Sequence, residues 1–154
     1  MLNFNITKTL FEETVTYEIS GYIDEKAIFP LITLKPKINI NLKNVTGLNS
    51  VGTRSWCQWV KQMTLPSMVF LDDCPMLFVK SFNQIVGALS ANMTVNSFIV
   101  PYCSVNSDER KNKVYTRGQE IDNSGIKFFP EVKDSKGEVM ELDVLNQYFN
   151  FLKK

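Results

Sequence analysis

The stretch Asn44-Val45-Thr46-Gly47-Leu48-Asn49-Ser50-Val51-Gly52 decides how this chain is read. Before it, from Ile38 to Val45, apolar Ile38, Ile40 and Leu42 alternate with Asn39, Asn41 and Lys43, the period of a half-buried strand. After it, Ser50 to Met63 carries Trp56, Trp59, Val60 and Met63 at three- and four-residue steps, the period of a helix. A polar Asn-Ser-x-Gly therefore stands where a strand hands over to a helix. Ser50 is expected to be the helix N-cap, its hydroxyl accepting a hydrogen bond from a first-turn amide. A phosphate on Ser50 would place a charge of about −1.5 to −2 at the positive end of the helix dipole. The position suits a structural cap or a phospho-switch.

Outward from this junction, strands and helices alternate. Leu2 to Thr7 and Thr14 to Ser20 read as two strands joined by a turn, with Val15, Tyr17 and Ile19 on one face. Asp24 to Leu34 reads as a short helix capped by Asp24 and shortened or kinked at Pro30. Met68 to Leu71 is a short apolar strand suited to the centre of a parallel sheet. A helix is expected from Pro75 to Ala91, with Leu77, Val79, Phe82, Ile85, Val86 and Leu89 supplying its apolar surface, followed by a strand from Val95 to Val100. This order predicts an α/β fold: a mixed sheet of four to five strands, antiparallel at its start, with helices mainly on one face. Beyond Pro101 the chain turns polar, with strand candidates at Lys113 to Thr116 and Lys127 to Phe129. A last helix is expected from Glu141 to Leu152. The expected organisation is a domain over residues 1–100 and an extension, a hairpin and a helix, over 101–154.

Composition narrows the function. The chain has 154 residues, 44% hydrophobic and 21% charged, which fits one ordinary globular domain. Seventeen basic and sixteen acidic residues give a net charge of +1 without a concentrated basic face, so nucleic acid is not an expected partner. The apolar runs are too short for a membrane span, and Met1-Leu2-Asn3-Phe4-Asn5 does not resemble a signal peptide, so a cytoplasmic location is expected.

Enzymatic chemistry is thin. There is no histidine, which removes imidazole acid-base catalysis and imidazole metal ligands. Cys57, Cys74 and Cys103 are far apart and read as reduced, buried or half-buried thiols. No catalytic group, cofactor or metal is expected. Trp56 and Trp59 read as packing rather than a ligand-stacking surface. Asp72-Asp73 reads as a turn plus helix cap rather than a metal pair. Arg54, one turn after Ser50, is either solvated or a partner for phosphate. Met76 and Phe78 read as core rather than an exposed patch.

The junction resembles that of the STAS domain, the fold of bacterial anti-sigma factor antagonists. Members have an apolar strand, then Asp-Ser-x-Gly, then a helix, the Ser being phosphorylated. Here Asn49-Ser50-Val51-Gly52 takes that place, with Asn49 where the family has Asp. Tyr17-Glu18-Ile19-Ser20-Gly21-Tyr22-Ile23-Asp24 resembles the family's entry into its first helix. In the extension, Val100-Pro101-Tyr102-Cys103-Ser104-Val105-Asn106 and Phe129-Pro130-Glu131-Val132 are similar to the two knuckles of a zinc-ribbon insertion carried by some STAS-like proteins. Only one of the four ligands remains, and a structural zinc site needs four. The hairpin is expected to survive without its metal, with Phe129 and Val132 packing where ligands would stand.

The resemblance implies a non-catalytic protein-interaction module in bacterial signalling. Ser50 is then the phosphorylation candidate, and Asp24, Asn49, Ser50, Val51, Gly52 and Arg54 form the partner-binding surface. An anti-sigma-factor-like kinase or another STAS-type chain is the implied partner, with a homodimer as a further expectation. The alternative is a small-molecule-binding domain using the crevice at the carboxyl ends of the strands.

Overall fold

The structure, a computed structural model, describes residues 2–153. A hairpin opens the fold: β1 (Asn5–Phe11) pairs antiparallel with β2 (Thr14–Ile23) across a two-residue tip, Glu12-Glu13. Next come β3 (Lys37–Leu48), helix α1 (Ser50–Lys61), β4 (Met68–Asp72), helix α2 (Met76–Gln84) and β5 (Met93–Val95). These strands form one five-stranded sheet in the order β1-β2-β3-β4-β5, parallel from β2 onward. The fold is thus α/β with a mixed sheet.

Strand alternation sets which face is covered. Val15, Tyr17 and Ile19 of β2, Ile38, Ile40 and Leu42 of β3, and Val69 and Leu71 of β4 are all buried on the helix side. Trp59 of α1 meets Tyr17 edge-on at 5.0 Å between ring centroids, and Trp56 meets Phe78 of α2 at 4.8 Å. The opposite face carries Thr, Asn, Glu and Lys side chains. In β3 the alternation slips after Leu42, where the pairing with β2 shifts register, and Val45 and Gly47 take over the buried side.

Asp24 to Leu34 is not the expected helix. It crosses from β2 to β3 without regular secondary structure beyond a turn at its start. Three contacts with distant elements hold it extended. Trp59 Nε1 donates to the Pro30 carbonyl (2.9 Å), the Thr33 amide donates to the Tyr17 hydroxyl (3.0 Å), and Phe29 packs between Phe4 and Trp59. Phe29 and Ile32 turn inward, while Ile28, Leu31 and Leu34 face solvent.

The third region of the fold, residues 75–153, also departs from expectation. Helix α2 stops at Gln84, not Ala91, because Ile85 is extended and Gly87 takes φ 91°, a left-handed conformation that glycine accepts at no steric cost. Ile85 and Val86, expected as apolar residues of the helix, follow its end instead and are exposed, Val86 fully so. The expected strand from Val95 to Val100 is two strands in two sheets. β5 ends at Val95, and β6 (Ser97–Cys103) leaves to pair with β7 (Arg110–Thr116) and β10 (Glu141–Leu142). β6 therefore runs straight through the 100/101 boundary.

Residues 127–129 are not a strand. The small hairpin there is β8 (Ile121–Asp122) with β9 (Gly125–Ile126). The expected helix from Glu141 is shorter, a 3-10 helix over Asn146–Lys153, because Glu141 and Leu142 are used as a strand. Its Tyr148, Phe149 and Phe151 complete one continuous core with Phe82, Phe98 and Tyr115.

Phe129-Pro130-Glu131-Val132, expected as the second half of a hairpin, has no strand or turn. Two other turns meet instead, at residues 104–109 and 134–138. Ser104 Oγ donates to Asp134 Oδ2 (2.9 Å), Asn106 Nδ2 to Glu138 Oε2 (3.0 Å), and the Ser135 amide and hydroxyl donate to Glu109. Phe129 packs edge-on against Phe149 at 5.7 Å, and Val132 lies against the core.

Candidate functional site

The carboxyl end of β3 runs directly into α1, and one residue organises the junction. Asn49, not Ser50, is the N-cap. It is extended (φ −95°, ψ −179°), and its Oδ1 accepts from the Gly52 amide at 2.8 Å. Its carbonyl accepts from the Thr53 amide (2.8 Å) and the Thr53 hydroxyl (2.9 Å), while its own amide donates to the Ile23 carbonyl (3.2 Å). An amide side chain brings one thing a carboxylate lacks, a donor. Asn49 Nδ2 donates to Glu25 Oε2 at 3.1 Å. Hydrogen bonds from its own loop backbone and from Asn49 hold the Glu25 carboxyl below its usual range. An Asp at position 49 would instead set two carboxylates together.

Gly52 is what lets the helix begin here. It is buried, and a Cβ on it would stand 2.0 Å from the Ile23 carbonyl oxygen. Only glycine permits so close an approach of α1 to β2. Its neighbours on the outer side, Ser50, Val51 and Arg54, are exposed. Ser50 is the first helical residue, with its side chain in solvent. Arg54 follows one turn later, and among the described residues it has no ion-pair partner.

These residues border an open groove of about 430 Å³, lined by Leu48, Asn49, Ser50, Thr53, Arg54 and Cys57 of the junction and by Ile85 and Val86 after α2. The groove combines the positive end of α1, one cation and exposed aliphatic side chains. Burial raises the Cys57 thiol above its ordinary value, so it is not an activated nucleophile.

The six residues predicted for the partner surface do not all converge. Asn49, Ser50 and Arg54 line the groove, Val51 is exposed beside them, and Gly52 is buried beneath. Asp24 lies elsewhere. It is not a helix cap but accepts from the Lys26 amide (2.9 Å) in a tight turn, and it borders a separate cavity with Leu2, Asn3, Phe4 and Tyr22. Its neighbour Glu25 is the acidic residue that reaches the junction. Sequence reading missed Glu25, Thr53, Ile85 and Val86. Gly87 was the available sign that α2 stops short and leaves Ile85 and Val86 outside.

The other candidates are structural. Trp56 and Trp59 are buried, their indoles donating to the Ala88 and Pro30 carbonyls. Phe78 is core and Met76 packs against it. Asp72 and Asp73 brace the turn after β4 rather than cap α2: Asn96 Nδ2 donates to Asp72, and Ser97 Oγ donates to Asp73 while accepting from its amide. The N-cap of α2 is Pro75, without a side-chain cap. Cys57, Cys74 and Cys103 are free thiols. Among the described residues no three His, Cys, Asp or Glu side chains gather to hold a metal ion, and no helix is long and apolar enough to cross a membrane. No family model matches the sequence, and no curated protein matches it.

Proposed function

We propose that this chain is a non-catalytic, STAS-type protein-interaction module acting in the bacterial cytoplasm, and that its partner docks on the groove at the start of α1. The observation that carries the reading is the exposed Ser50 on the first turn of α1, beside Arg54, which has no ion pair among the described residues, and the solvent-facing Val51, Ile85 and Val86. The strand order β1-β2-β3-β4-β5 with only β1 antiparallel, and the helices on one face, support the family resemblance. The partner is an anti-sigma-factor-like kinase or another STAS-type chain. Apolar anchors ringed by polar groups suit a protein surface.

Ser50 is the site of regulation by phosphate. The dipole of α1 stabilises an anion at that position, and Arg54, four residues on, offers a charge-assisted hydrogen bond. Glu25, held on Asn49, supplies the carboxylate that the family carries one residue before its serine. The phosphorylated module stays folded and loses its partner through charge and bulk. The groove's position at the carboxyl end of β3 also supports a second reading, a small-ligand site of ordinary size. The experiment is co-purification and titration of the partner with wild type, Ser50→Ala, Ser50→Asp and Val86→Asp. Loss of binding in Ser50→Asp and Val86→Asp, with wild-type melting, is the expected result. Unchanged binding in both sinks the docking site.

A further inference from the structure

The end of the sheet farthest from the Ser50 groove also carries exposed apolar side chains, which none of the described residues covers. β3 and β4 begin there, with Lys37 paired to Met68. Register places Phe11, Thr14, Lys37 and Met68 in one row across β1 to β4. The crossover ends there as well: Ser67 Oγ donates to the Lys35 carbonyl and the Met68 amide to the Pro36 carbonyl, which brings Leu34 and Leu65 to the same rim. Phe11 and Leu65 are each 72% exposed, and Leu10, Leu34 and Met68 are exposed too. Leu31, 88% exposed, lies on the crossover that leads down to this rim. Apolar patches beyond a few hundred Å² are uncommon on monomers.

We infer that this end is the interface of a two-fold dimer with a second copy of the chain. An isologous interface must complement itself. This rim carries both signs: Glu12 and Glu13 on the hairpin tip, and Lys35, Lys37 and Lys61 around it, Lys61 closing α1 at this end. The Lys37 amide donates to the Glu13 carbonyl, so the tip stands beside the lysines. Among the described residues, none of Glu12, Glu13, Lys35 and Lys61 is in an ion pair within its own copy. Rotated by a two-fold, each acidic tip can face the partner's lysines around an apolar centre. The mixture of signs disfavours an anionic lipid surface, which selects for lysine alone. Six large apolar side chains, Leu10, Phe11, Leu31, Leu34, Leu65 and Met68, supply the anchors for an ordinary interface of about 800 Å² per copy. Both Ser50 grooves then face outward, away from the contact.

Sedimentation velocity over a concentration series tests this, using wild type, Leu31→Asp, Leu65→Asp and, as a control, Leu145→Asp on an exposed position in the third region. Far-ultraviolet circular dichroism checks the fold of each. The expected result is a concentration-dependent dimer, weakened at least tenfold in Leu31→Asp and Leu65→Asp and unchanged in Leu145→Asp. Because Leu31 and Leu65 are so exposed, at least one of the two variants keeps the wild-type spectrum and decides the matter. A monomer at every concentration, or a dimer indifferent to both substitutions, overturns the inference. So does a monomer that sediments with phosphatidylserine vesicles.

Discussion

Gly52→Ala tests the geometry of the α1 junction, because two effects of known size pull in opposite directions. In a helix, alanine is favoured over glycine by about 1 kcal/mol. If Gly52 were an ordinary helical position, the substitution would raise stability by about that amount. In the structure, the new Cβ would stand 2.0 Å from the Ile23 carbonyl oxygen and 2.6 Å from its carbon. Both atoms belong to the backbone of β2, inside the sheet, and no rotamer change relieves the contact. The helix start must lift by about 1 Å, stretching the Asn49 Oδ1 bond to the Gly52 amide and the Asn49 amide bond to Ile23. Overpacking of this kind costs about 1–3 kcal/mol, and loss of a cap about 1 kcal/mol more. Set against the propensity gain, the net effect is a loss of about 1–3 kcal/mol, a fall in Tm of about 2–12 °C for a chain of this size. Thermal melting by circular dichroism and urea titration read the change. An unchanged or higher Tm would refute the close approach of α1 to β2, and with it the placing of Ser50.

Asn49→Ala should cost about 1 kcal/mol of stability in urea titration through loss of the cap. Asn49→Asp keeps the cap acceptor but turns the Glu25 contact repulsive, so the Glu25 carboxyl, followed by NMR titration, should rise toward its usual range. Trp56→Ala should cost about 3–5 kcal/mol, since it empties a fully buried site against Phe78 and orphans the Ala88 carbonyl; a cost under about 1 kcal/mol would contradict the packing. In acid, the two facing turns of the third region should loosen first. Hydrogen bonds from Ser135 hold the Glu109 carboxyl below its usual range, and amide donors at Glu138 and Lys136, with the Ser104 hydroxyl, do the same for Asp134. Folded-state values that are depressed give stability that is present above the ordinary carboxylate range and lost as pH falls through it. Hydrogen exchange at residues 104–110 and 134–138 should therefore speed up below that range, while exchange in β2 and β3 should not.

The sequence by itself determined the parts whose periodicity matches their final environment. Val15, Tyr17 and Ile19, and Ile38, Ile40 and Leu42, alternate because one face of each strand meets helices and the other meets water. Trp56, Trp59, Val60 and Met63 mark α1 because one stripe of it faces that same core. These local patterns were enough for an α/β fold, a mixed sheet and a strand-to-helix junction at Asn49 and Ser50. Tertiary structure alone decided the rest, because the deciding contacts come from far along the chain. The crossover after Asp24 has a helix-like start, yet Trp59 and Tyr17 hold it extended through Pro30 and Thr33. An apolar run from Val95 to Val100 shows that strands exist, but not that the chain changes sheets at Asn96. Ile85 and Val86 have the composition of core residues and end in solvent because α2 stops before them. At the site, both Ser50 and Asn49 have side chains able to cap a helix. Asn49 takes the role because Gly52 seats α1 against Ile23 and Glu25 receives the Asn49 amide, two approaches between segments separated by 24 to 29 residues.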